Sequence, residues 1–478
     1  MNERLAFNGG LHLVQGRQSH RPAQPARPSS ESEPAATPKG STFARVRERS
    51  DWAWRGLLLF TLVMFLRPQD DIPALRLLHL AEMFAILGAV ALIFGRLSHG
   101  RPVSRVTPEI LALLAFVGAM AAGIPASFWP GGSVEVMTDV VLKLVVIFVL
   151  LINTLDRPQR IDRLSFILVV VSGYVSVRTI IDYARGVHLV EGGRIAGAIG
   201  GIFGNPNDLA LNMVVFLPFA VMWAFREGPP WKRALAAGCG VAMTATIVLT
   251  RSRGGVVGLL AMMALLAIGS IRVKPAIAAG VLVSALITLP LAPAAFWDRM
   301  VSIVDASKDP TGSRQARIDL LKEGLRIFGE HPLLGVGIGQ FVNYDPTGRK
   351  QPWRVTHNAL LQVASETGVA GLVPFLFFFG SGVAAAREVR RRLGPPPGRA
   401  RRRERARPAQ SRDDQEREAL LTTATAVGPS LAGWFVAAFF ASVALNWTLY
   451  YVLAIAAATR DVARMRAQPE HQALARVS

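Results

Sequence analysis

The chain has 478 residues, 51% of them hydrophobic and only 18% charged, with a net charge of +20 at pH 7. A soluble domain carries about 25% charged residues, so the deficit excludes a soluble enzyme and points to a protein with many membrane spans. The positive charge gathers in two polar tracts, Met1 to about Arg55 and Arg387 to Arg417, separated by long uncharged runs that no groove-reading nucleic-acid module needs; the single cysteine, Cys239, excludes intrachain disulfides and cysteine-based metal centres.

Residues 1–51 are rich in Arg, Pro, Ser and Gln. Such a composition buries too little surface to offset ordering entropy, so a disordered cytoplasmic tail is expected. The apolar stretch after Trp52 comes too late for a secretory signal. A membrane helix needs about 20 mostly apolar residues. Segments of that kind fall at 74–95, 108–128, 135–152, 162–182, 207–225, 232–250, 254–271, 275–296 and 358–385. Residues 53–66 make a shorter candidate containing Arg55, and the apolar run 420–458 fits two helices broken near Asn446 and Trp447. The expected fold class is all-α: a polytopic integral membrane protein of about twelve transmembrane helices. The transmembrane domain would occupy 52–460, with a cytoplasmic tail at 461–478.

Basic residues orient it. With the amino terminus in the cytoplasm, Arg96, Arg101 and Arg105 share one side with Arg157, Arg160 and Arg163, with Arg226, Lys232 and Arg233, and with Arg272 and Lys274. The basic loop 387–418 and Arg460, Arg464 and Arg466 fall on that side too, as the positive-inside rule asks. The opposite side receives SFWPGGSVE, which has no basic residue, and one long loop, 297–357. Within that loop Ile318, Leu321, Leu325 and Phe328 recur at helical spacing, predicting an amphipathic helix over about 312–329 that ends at His331-Pro332. LLGVGIGQF follows, where Gly335, Gly337 and Gly339 let backbone approach backbone or ligand closely.

Four clusters on the outer side carry candidate chemistry. GNPNDLA, with Asn205 and Asn207, opens a span and reads equally as a helix cap. TRSRGG places Arg251 and Arg253 on the side where basic residues are disfavoured, to bind an anion or to snorkel to lipid headgroups. Arg314 and Arg317 lie on the loop helix, where arginines are usually a solvated face. His357-Asn358 stands where the loop re-enters the membrane, followed by Glu366, Gly368 and Gly371; a lone histidine at a helix mouth is more often structural. No His/Asp/Glu cluster has metal-ligand spacing, and no pair of carboxylates suits glycoside hydrolysis.

TRSRGG, the run from Arg317 into HPLLGVGIGQF, and His357-Asn358 followed by Gly368 and Gly371 together resemble the O-antigen ligase and polymerase family. The GNPNDLA turn is also similar to that of many members, and the resemblance covers about residues 200–380. These are bacterial polytopic glycosyltransferases acting on lipid-carried glycans. The resemblance implies transfer at the periplasmic face of the inner membrane; the arginines and the lack of a ligand-spaced cluster lead us to expect no metal or cofactor. The implied donor is a glycan on undecaprenyl diphosphate; the acceptor is a hydroxyl of a lipid A core, of another glycan or of a protein. His357, Arg317 and either Arg251 or Arg253 match the family's essential residues, and Arg314, Asn358, Asn205, Asn207 and Glu366 are the accompanying binding candidates. Ligases, polymerases and protein O-oligosaccharide transferases share these motifs.

The chemistry agrees with that assignment. A diphosphate leaves readily once its charge is neutralised, and guanidinium groups do this bidentately at any relevant pH. A histidine with an ordinary pKa near 6.5 suits removal of the acceptor proton. Two rival classes remain. A lipid-linked-glycan flippase would place charge in mid-bilayer, where Lys143 is the one pointer. A scaffold would use the Arg-rich cytoplasmic loop to bind anionic membrane lipid.

Overall fold

The computed structural model describes residues 42–190, 193–197, 203–270, 275–280, 292–301, 312–394 and 411–474, with side chains between 52 and 466 except that of Ser313. The helices are α1 (Thr42–Leu66), α2 (Pro68–Asp71), α3 (Leu80–Leu97), α4 (Pro108–Gly123), α5 (Pro130–Val136), α6 (Leu142–Thr154), α7 (Pro158–Ala184) and α8 (Pro206–Phe225). They continue with α9 (Pro230–Leu249), α10 (Arg253–Ser270), α11 (Ala294–Val301), α12 (Ser313–Glu330), α13 (Ala359–Leu393), α14 (Arg412–Ala438) and α15 (Trp447–Leu474). Many begin with proline, which lacks the amide that would go unpaired there and is already set at a helical φ. Among the described residues the β structure is one antiparallel pair, Leu189–Val190 with Arg194–Ile195.

Eight described segments are long and apolar enough to cross a membrane: 73–97, 108–126, 158–184, 206–225, 230–249, 253–270, 359–393 and 412–438. The chain is an all-α polytopic membrane protein. Each of the eight overlaps an expected span. The expected span at 135–152 is built differently, as α5, a π turn over Met137–Val141, and α6. The run 420–458 is divided between α14 and α15, with the break at 439–446. Helix α1 starts at Thr42, inside the expected tail, because FARVRERSD contains good helix formers that continue the apolar helix Trp52–Leu66 backwards. Most of the expected span 275–296, the loop start 302–311, residues 395–410 of the basic loop, residues 1–41 of the expected N-terminal tail, and 475–478 of the expected C-terminal tail lie outside the described residues.

Burial ranks the helices. The apolar window of α8 is 78% buried, whereas that of 73–97 is 11% buried, so α8 is central and α3 lies at the periphery. Aromatic contacts knit the centre: Phe116 meets Phe375 at 5.3 Å, Phe148 meets Phe378 at 5.1 Å and Phe375 meets Trp434 at 6.5 Å between ring centroids.

The connections gather in two sets. At one end Arg96 donates to Asn153 at 2.9 Å, the Glu227 amide to Glu418 at 3.2 Å, and Arg460 to both carboxylate oxygens of Glu109 at 2.6 and 3.0 Å. The Arg460–Glu109 pair is buried, so losing one partner would leave an uncompensated charge, a change that costs about 3–5 kcal/mol. At the other end meet 124–134, 183–190, 193–197, 203–208, 250–255, 331–358 and 439–446. Lys143, the residue that a transporter would use, pairs with Glu82 at 3.1 Å near the first turn of α3.

Candidate active site

The arginine turn is fixed by the start of α8. Asn205 caps that helix, its side-chain oxygen accepting from the amides of Asn207 at 2.9 Å and Asp208 at 3.0 Å. Asn207 faces the other way: its oxygen accepts from Arg194 at 2.9 Å and from the Ser252 hydroxyl at 2.9 Å. Arg194 also donates to the Thr250 carbonyl at 3.1 Å. The strand with Arg194 and the start of α8 are thereby tied to one turn that lies 56 and 45 residues further along the chain. Within it Arg251 has φ 49°, a left-handed conformation rare for a side-chain-bearing residue, and donates to the Tyr183 hydroxyl at 3.1 Å. Arg253 is buried, 7% exposed, in the first turn of α10. The two glycines after it explain the burial. A Cβ on Gly254 would lie 2.6 Å from that of Phe440, and one on Gly255 would lie 2.5 Å from that of Ala210. Only glycine lets α10 start this close to α8 and to the end of α14.

The histidine half is carried by the long loop. Helix α12 buries Leu320 and Ile327 against Val336 and Phe341. Glu323, on the same helix, pairs with buried Arg349 at 2.9 Å and accepts from the amides of Lys350 at 2.8 Å and Gln351 at 3.2 Å. Arg349 also donates to the carbonyls of Phe341, Gln351 and Arg354 at 2.5, 3.1 and 3.3 Å. This node holds the chain that leads to His357. The glycine segment does what its composition suggests. Gly335, Gly337 and Gly339 all have positive φ, and the amides of Val336 and Gly337 donate to the carbonyls of Ser365 and Glu366 at 3.0 Å each. Helix α13 is kinked to receive them at Gly368, whose φ is 60° and ψ −162°. The Glu366 carboxylate is buried there and accepts from the Gly339 amide at 3.0 Å.

His357 has φ 50°, left-handed as Arg251 is. Its amide donates to the Ser442 hydroxyl at 2.9 Å, and that hydroxyl also pairs with the Thr356 hydroxyl at 2.8 Å. Asn358 caps α13, its oxygen accepting from the Leu361 amide at 3.0 Å. Burial first, then the positive charges of Arg317 and Arg354, push the His357 imidazole from 6.5 down to about 4. The ring is therefore neutral at physiological pH. Backbone strain of this kind costs about 1–3 kcal/mol and persists where the surroundings impose it.

The structure thus brings Arg317 within electrostatic reach of His357, and Arg251 and Arg253 into one turn. Arg314 is exposed on the first turn of α12. The side-chain oxygens of Asn205 and Asn358, and the carboxylate of Glu366, are occupied by backbone amides, and Asn207 is a bridge between segments. Both halves touch the connector after α14, through Gly254 against Phe440 and through Ser442 under His357. Sequence reasoning missed Arg354, Ser442, Arg194 and the Glu323–Arg349 pair. Among the described residues no three His, Cys, Asp or Glu side chains are grouped to hold a metal ion.

Residues 238–376 match the family model for O-antigen ligase. That segment holds both arginines of the turn, α12, the glycine segment, His357 and the kink of α13. This segment belongs to the O-antigen ligase/polymerase family. An O-antigen ligase/polymerase-type role in polysaccharide biosynthesis follows, with the glycosyltransferase-like activity of the family. No curated protein matches the chain.

Proposed function

We propose that the protein transfers a glycan from undecaprenyl diphosphate to an acceptor hydroxyl at the periplasmic face of a bacterial inner membrane, acting as a ligase on the lipid A core or a comparable acceptor. The observation that carries this reading is the neutral His357 imidazole, held in a left-handed conformation beside Arg317 and Arg354 on the family-matching loop.

In this reading the arginines bind the donor diphosphate, Arg317 from the loop and Arg251 or Arg253 from the turn, with Arg314 at the rim. The acceptor hydroxyl gives its proton to His357 as its oxygen attacks the anomeric carbon. The bond from that carbon to the phosphate oxygen breaks, and its electron pair leaves with the diphosphate, whose charge the guanidinium groups neutralise. The depressed pKa of the free protein has a use here. A bound diphosphate offsets the arginine charges that disfavour imidazolium, so the base strengthens when the donor arrives. Glu366, Asn205 and Asn358 act through position, fixing the glycine segment and the starts of α8 and α13.

Purified protein in proteoliposomes, supplied with lipid-linked oligosaccharide and acceptor from its own cells, tests this. His357→Ala should lower transfer per folded molecule by about 10²- to 10⁴-fold, while the donor still binds. Activity that falls only in proportion to folded protein would make His357 structural. Transfer should persist in excess chelator; a chelator-sensitive reaction restored by Mg²⁺ would assign diphosphate neutralisation to an ion instead.

A further inference from the structure

A cavity of about 330 Å³ is lined among others by Met64, Arg67, Asp208, Ser442, Asn446 and Trp447. Two of these residues adjoin the candidate site. Asp208 follows Asn207, which holds Ser252 of the arginine turn, and Ser442 holds the amide of His357. The cavity therefore adjoins the segments that carry the arginine turn and the histidine.

The lining has a definite chemistry. Arg67 is paired with Asp70 through Nε at 2.7 Å and Nη2 at 3.3 Å, which leaves Nη1 without a partner among the described residues. Asn446 uses its oxygen to accept from Thr448 and keeps both hydrogens of Nδ2 unengaged among the described residues. Asp208 accepts from Asn205 on one oxygen and has the other to offer. Trp447, part-exposed, adds a flat apolar face backed by Phe60 at 5.6 Å. Arg67 is balanced by Asp70, and Asp208 adds a further carboxylate, so the cavity does not attract phosphate as the arginine turn does. Leftover donors and acceptors around an aromatic face suit a neutral, hydroxyl-rich ring: polar edges take the hydroxyls and the indole takes the C–H face. The volume is at the low end for ligand pockets, enough for a short saccharide rather than a chain.

We propose that this cavity is a carbohydrate subsite that seats the sugar next to the reacting bond, with Asn446, Asp208 and Trp447 as its specificity-determining residues. The proposal rests on the transferase reading for which bond is reacting, but not for the binding itself.

The test is photo-crosslinking in cells. Full-length His357→Ala protein carrying Met64→p-benzoylphenylalanine is irradiated, and the adduct is analysed for sugar. Adducts containing sugar residues support the subsite, whether or not the wild-type protein transfers glycan. Adducts holding phospholipid alone, or none at all, overturn it even if transfer is robust. Kinetics then assign the source. Asn446→Asp keeps the oxygen that caps α15 and removes the amide donor, and Trp447→Leu keeps apolar bulk without the ring. Each should raise KM by about 3- to 10-fold with kcat little changed. A rise for the lipid-linked oligosaccharide assigns the subsite to the donor sugar, and a rise for the acceptor assigns it to the acceptor sugar. KM unchanged for both substrates in both variants overturns the proposal.

Discussion

The acid limb of the pH–rate profile tests the electrostatics of His357 directly. Burial, Arg317 and Arg354, in that order, lower the imidazole from 6.5 to about 4, a difference of about 2.5 pH units. Burial is the largest cause, and Arg354 is the smaller of the two cationic ones. Catalysis as a base needs the neutral ring, so kcat/KM should be flat from pH 8 down to about 5 and fall with a midpoint near 4. Arg354→Gln should move that midpoint up, without restoring it to 6.5, and leave the rate at pH 7 unchanged. The change is clean because Arg354 is not among the groups assigned to the diphosphate. Proteoliposomes assayed between pH 4 and 8, with folded fraction measured at each pH, supply the profile. A wild-type limb centred near 6.5 would refute the reasoning, because the imidazole would then be neither desolvated nor crowded by cations. Stability carries the same signature with a definite sign. The folded pKa is depressed, so as pH falls below about 6.5 the unfolded chain takes up a proton before the folded one does. Stability worth up to about 3 kcal/mol is then lost between about 6.5 and about 4, and His357→Asn should flatten that part of the curve.

Three further outcomes are expected. Glu323→Gln leaves the buried Arg349 guanidinium short of its charge partner and should lower stability by about 3 kcal/mol or more, read by thermal unfolding in detergent; a shift under 1 °C would show that the node holds nothing. Gly254→Leu drives a side chain into Phe440 and should abolish transfer by displacing Arg253, with loss of folded protein far smaller than loss of rate; full activity would free the turn from any need for close approach. Alkaline phosphatase fused after Asp345 should be active and fused after Arg407 inactive, and activity at the second position would invert the membrane orientation.

Much of the bundle is legible in the sequence because the signals are local. Apolar runs mark the spans, arginines mark one set of connections, and prolines mark helix starts such as Pro206 and Pro230. The amphipathic stretch containing Ile318 and Leu325 is helical, within Ser313–Glu330. What escapes is what depends on distant pairs. His357 and Ser442 are 85 residues apart, Glu323 and Arg349 are 26 apart, and Thr250 accepts from an arginine in a two-stranded hairpin that no periodicity announces. The π turn at Met137–Val141 escapes for a different reason: it keeps the same apolar composition as the α-helix around it.

The two halves of the candidate site are held by different means, and the difference follows from where each lies. The arginine turn sits where helices enter the bilayer, so its precision comes from glycine-mediated helix contact and from side chains that satisfy backbone groups which water cannot reach. The histidine lies at the end of a long loop, where helix packing gives no such hold, and the chain substitutes a buried Glu323–Arg349 pair that gathers several carbonyls and amides of 341–354. Such a pair is poor evidence for stability in itself; here it fixes the path of the segment that leads to a strained His357. The connector 439–446 then touches both devices, at Phe440 and at Ser442. A displacement of α14 would accordingly move the arginine turn and the histidine together, and their relative geometry would be preserved where two independent loops would lose it.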